Sequence, residues 1–81
     1  MIGVLILAAA QCAATPDAYE TLAEKYGETR AMIGLSQTGA VLEIWTGPDG
    51  AWTALITRPD GTSCMVDAGQ GMQAVAQGEP A

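Results

Sequence analysis

From residue 30 onward, apolar and polar positions alternate in short runs separated by glycine-centred breaks. The runs cover residues 30–36, 40–46, 51–57 and 62–68 and are rich in Val, Ile, Leu, Thr and Trp, which predicts four strands. Two of the breaks read Gly47-Pro48-Asp49-Gly50 and Arg58-Pro59-Asp60-Gly61. In each, proline presets φ, aspartate tolerates the next bend and glycine supplies a positive φ, so each predicts a hairpin. Closed as type I turns with a glycine bulge, they set Gly47 opposite Ala51 and Arg58 opposite Thr62. The first hairpin then pairs Thr46 with Trp52, Ile44 with Ala54 and Leu42 with Ile56. The second pairs Ile56 with Cys64, Ala54 with Val66 and Trp52 with Ala68. Directly paired residues share a face. One face is therefore expected to carry Leu42, Ile44, Trp52, Ala54, Ile56, Cys64, Val66 and Ala68, and a two-residue turn at Thr38-Gly39 adds Ile33 and Leu35. The other face is mixed, with Val41, Glu43, Trp45, Thr53, Leu55, Thr57, Ser63, Met65 and Asp67.

Before the strands lies one helical pattern. Thr15-Pro16-Asp17 is a start signal, with Thr15 as the cap, Pro16 in the first turn and Asp17 at the positive end of the dipole. Tyr19, Leu22, Ala23 and Tyr26 recur at helical spacing, and Gly27 ends the run. The expected fold class is α+β, one N-terminal helix packed on a four-stranded antiparallel β-meander, with the helix covering the apolar face. Trp52 then belongs to the core. Trp45, Leu55 and Met65 remain over on the second face as a candidate partner surface, unless the stretch around Met72 and Val75 folds over them.

Residues 1–10 form a short apolar run that ends in Ala8-Ala9-Ala10. This predicts a signal peptide cleaved before Gln11, although the run lacks the usual positive start. It is too short for a membrane span, which takes about 20 apolar residues. The expected organisation is a signal peptide at 1–10, a single domain at 11–76 and a flexible tail at 77–81, in a periplasmic or secreted protein. Two cysteines, Cys12 and Cys64, fit that compartment as one disulfide, which would close a loop of about 50 residues and contribute roughly 4 kcal/mol. It would staple the helix entry to the last strand.

Composition removes several functions. The net charge is −6, with only Lys25, Arg30 and Arg58 positive, too little cationic field for nucleic acid. The chain has no histidine, so the commonest general base and metal ligand is missing. No nucleophile elbow or phosphate loop is present. Asp49 and Asp60 are explained by their turns, and no series of oxygen ligands follows them. Glu43 and Asp67 are the only carboxylates on strands that could act as a pair. The expectation is a protein that is not an enzyme and takes no cofactor or metal.

The segments Leu22-Ala-Glu-Lys-Tyr26-Gly-Glu, Gly50-Ala-Trp52-Thr and Pro59-Asp-Gly-Thr-Ser-Cys64, together with Cys12, resemble a set of small exported bacterial proteins of uncharacterised function. The resemblance spans most of the chain after residue 10. It implies a signal peptide, one disulfide and no known activity. Met72 departs from it, standing where an aromatic residue is typical. The functional expectation is an exported binding or interaction module of the cell envelope, an accessory or inhibitor protein, with a protein partner. The alternative is a structural subunit of an envelope or phage virion assembly.

Overall fold

A computed structural model describes residues 11–76 and 78. Its elements are β1 (Cys12–Ala14), α1 (Thr15–Tyr26), β2 (Thr29–Leu35), β3 (Val41–Thr46), β4 (Trp52–Thr57) and β5 (Thr62–Gly69). The strands form one antiparallel sheet in the order β1-β5-β4-β3-β2. The class is α+β, with five strands rather than four. The extra strand, β1, has three residues, too few for an alternation to show in the sequence. The signal peptide expected at residues 1–10 and most of the tail expected at 77–81 lie outside the described residues.

Three loops shape the meander, and all three close alike. Gly47 N–H donates to Ala51 O at 2.8 Å, and Arg58 N–H to Thr62 O at 2.8 Å, as the proline-aspartate-glycine turns predict. Ser36 N–H donates to Ala40 O at 2.8 Å in the same way. The loop glycines Gly39, Gly50 and Gly61 have φ of 91°, 89° and 91°, a region open to glycine and costly for other residues. The loop between β2 and β3 is thus the same three-residue type and not the two-residue turn expected at Thr38-Gly39. That one-residue change pairs Leu35 with Val41 and Ile33 with Glu43. Ile33 and Leu35 consequently lie on the second face, not the first.

The β3–β4 register is the expected one, with Thr46 opposite Trp52, Ile44 opposite Ala54 and Leu42 opposite Ile56. In the next hairpin Ile56 meets Cys64 as expected, but a bulge then shifts the ladder, so Ala54 meets Asp67 and Trp52 meets Gly69. One extra residue in β5 reverses the side of every residue beyond it. Asp67 therefore joins the face of Ala54, and Ala68 joins that of Thr53.

The helix runs from Thr15 to Tyr26, has Pro16 in its first turn, and ends on Gly27 at φ 63°. Thr15 is not its cap. The Thr15 hydroxyl instead meets Ser63 Oγ at 3.0 Å, tying the first turn to β5. The helix packs on the mixed face of the sheet. Leu22, Trp45 and Leu55 form the core cluster, with Ala18, Tyr19 and Met65 against it. Among the described residues, the face read as apolar carries no helix. Tyr26, expected at the packed side of the helix, is 61% exposed.

Cys12 and Cys64 are bonded and directly opposite each other in the β1–β5 ladder. Met65 N–H donates to Gln11 O and Thr15 N–H to Gly61 O, both at 2.8 Å. The disulfide does staple the helix entry to the last strand. It does so from the face opposite the helix, because Cys64 shares the side of Ile56.

Candidate functional site

Beneath the helix, the mixed face buries polar groups by pairing them. Glu43 is 1% exposed. Its Oε2 accepts from the Tyr19 hydroxyl at 2.5 Å and its Oε1 from Trp45 Nε1 at 2.9 Å. Arg30 completes the cluster. Its Nη1 donates to Tyr19 Oη at 3.2 Å, stands 3.8 Å from Glu43 Oε2, and its guanidinium lies over the Tyr19 ring. Ser63, also 1% exposed, meets Thr57 Oγ1 at 2.6 Å and Thr15 Oγ1 at 3.0 Å. A buried polar group costs stability only when it lacks a partner. This face is therefore a polar-laced core.

Trp45, at 6% exposure, and Leu55, at 3%, are two of the most buried residues, and Met65 packs beside them. The partner surface expected at Trp45, Leu55 and Met65 is therefore the core beneath α1, not an exposed cluster. The stretch around Met72 and Val75 is not what covers it. Met72 N–H donates to Gly50 O at 3.0 Å, and Met72 and Val75 remain exposed. The candidate carboxylate pair also separates, since Glu43 faces the helix and the bulge turns Asp67 to the other side.

Burial holds the Tyr19 hydroxyl above its ordinary pKa, reinforced by its bond to Glu43 and by that carboxylate's charge, against opposing contributions from Thr57 and Arg30. The folded state thus favours the neutral phenol. The stability this contributes is whole below the unfolded value of about 10 and is lost as pH rises through the higher folded value. Thermal melts from about pH 8 to about pH 11 are expected to fall more steeply for the wild type than for Tyr19→Phe. At neutral pH the same variant is expected to lose about 1–3 kcal/mol, because Glu43 Oε2 loses its nearest donor.

The side of the sheet that no described element covers is the candidate interaction surface. The register gathers Met32, Leu42, Ile44, Ala54, Ile56 and Cys64 on it. Met32 is 62% exposed, Leu42 41% and Val66, at the bulge, 50%. Trp52 stands at one end, its Nε1 donating to Gln70 O at 3.2 Å. Asp67 is the acidic residue that the bulge brings to this side. The alternation of the strands thus places Leu42, Ile44, Trp52, Ala54, Ile56 and Cys64 on one face correctly, while Ile33, Leu35 and Ala68 fall on the other and the expected role of this face as the helix-packing core is incorrect. No helix among the described residues is long and apolar enough to cross a membrane.

No protein-family model, curated protein or solved structure matches this chain.

Proposed function

We propose that this protein is an exported, disulfide-stapled interaction module of the cell envelope, without catalytic chemistry, that binds a protein partner on the open face of its sheet. The carrying observation is the distribution of apolar surface. The single helix of the described residues packs over Trp45 and Leu55 on the polar-laced side, where Ile33 and Leu35 of the edge strand stay exposed, while Met32, Leu42 and half-buried Ile44 and Ile56 are left on the other side, with Val66 exposed at the bulge. A contiguous apolar patch of this kind is characteristic of a protein-binding site. The disulfide supports a non-reducing compartment.

Site-specific photocrosslinking in the native host tests this reading. A crosslinker at Leu42 is expected to trap a partner that the same group at Glu20, on the outer side of α1, does not. Val66→Lys is expected to abolish the adduct with melting unchanged within a few degrees, since Val66 is half exposed. Equal trapping from both positions, or none from Leu42, overturns it.

The alternative, a structural subunit, is favoured by one observation. β2 is an edge strand whose seven residues are all exposed, and beyond the irregularity between Arg30 and Met32 its last four residues, Met32 to Leu35, carry no charge or proline to blunt the edge. Pairing of β2 between copies would continue the sheet. Sedimentation separates the two readings, with a stable multimer supporting the subunit and a monomer the interaction module.

A further inference from the structure

A cleft of about 700 Å³ opens between α1 and the β4–β5 part of the sheet, on the helix-covered side. Leu22, Tyr26, Leu55 and Met65 line it, and Glu28 lies among the lining residues. Glu28 is 4% exposed. Its Oε1 is buried and is the one such side-chain atom among the described residues without a hydrogen-bond partner. Glu43 shows the contrast, since both of its oxygens hold donors.

The chain fixes Glu28 in place. Its N–H returns to Leu22 O at 3.0 Å across the left-handed cap at Gly27. Its side chain packs against Gly47, where an added Cβ would lie 3.5 Å from Glu28 Cγ. It follows the C-terminus of α1, where unpaired carbonyls add negative potential. Arg30 is engaged by Tyr19 and Glu43, and Lys25, in the last helical turn, is exposed. The terminal torsion of a glutamate is broad, so the carboxylate can reorient about it while the stem stays fixed.

We infer that this cleft binds a protonated amine or guanidinium carried on an apolar stem, with the head at Glu28 and the stem along Leu22, Leu55 and Met65. A buried, unpaired carboxylate favours a cationic donor over water or a neutral group because the bond is charge-assisted. The chemistry has two sources, a free small amine and a basic side chain of a protein.

The test is an NMR titration of the disulfide-bonded protein with 4-phenylbutylammonium and with the neutral 4-phenylbutanol. The amine is expected to bind at least about tenfold more tightly, with shifts centred on Leu22, Leu55 and Met65. Glu28→Gln is expected to bring the amine down to the affinity of the alcohol. A blocked lysine peptide and its norleucine counterpart form the second arm. Tighter binding of the lysine peptide than of the free amine assigns the site to a protein side chain, and the reverse order assigns it to a small molecule. Equal affinity of the wild type for amine and alcohol, or no shift in the cleft, overturns the inference whether or not the variant folds.

Discussion

Trp45→Ala is expected to cost about 3–5 kcal/mol from lost packing, with roughly 1–3 kcal/mol more because Glu43 Oε1 loses its donor. Trp45 is 6% exposed, packs with Leu22 and Leu55, and lies 5.0 Å from the Tyr19 ring, centroid to centroid. A domain of roughly 65 residues has about 3–10 kcal/mol of stability in total, so this one truncation is expected to leave the chain largely unfolded. Trp52→Ala is expected to cost roughly half as much, because its ring is only partly buried. Trp45→Phe separates the two contributions, since it retains much of the aromatic packing but loses the donor. Urea titrations followed by circular dichroism read all three. Equal costs for the two tryptophans would show that α1 does not define the core.

That order of the tryptophans is the reverse of what alternation suggests, and the reason is physical. A pattern of polar and apolar positions reports which residues share a face. It does not report which face is covered when the polar one can satisfy itself. Glu43, Ser63 and Thr57 read as solvent-facing, yet each finds a partner within the fold, from Tyr19 and Trp45 to Thr15. Two further signals were beyond the pattern. The bulge in β5 has no glycine or proline to announce it, and it moves Asp67 and Ala68 to opposite sides of where counting places them. Ser36-Gln37-Thr38-Gly39 closes as its two proline-containing counterparts do, but only its glycine advertises that.

What was legible is the chemistry of the two proline-aspartate-glycine turns and of the helix's C-terminal cap. Gly27, Gly50 and Gly61 take positive φ where the sequence requires it, and the β3–β4 ladder follows residue for residue. The candidate site was legible only as a set of residues. The register groups Leu42, Ile44 and Ile56 correctly but not Val66, which the bulge leaves unpaired, and the alternation assigns the whole face to the interior. Glu28 gave no signal at all, because a glutamate after a helix-ending glycine ordinarily faces water. Its burial follows from the close approach of Gly47, a contact between the helix end and a distant loop.

Loss of the Cys12–Cys64 bond is expected to destabilise the protein by about 2–5 kcal/mol. The bond spans a sequence separation of 52, for which the chain-entropy account gives roughly 4 kcal/mol. Its effect is also local. β1 has three residues and pairs only with β5, and the helix that builds the core starts immediately after it. Without the covalent tie, three residues of ladder and the Thr15–Ser63 contact must hold the helix entry, and short edge strands fray readily. Cys64→Ala, or reduction by thiol, is therefore expected to expose the Met65 and Thr15 amides, which bond Gln11 O and Gly61 O, before the β3–β4 ladder opens. Hydrogen exchange resolves that order, and urea titration of oxidised and reduced protein gives the magnitude. Simultaneous exchange of both regions with an unchanged urea midpoint would show that the helix and sheet hold together without the staple.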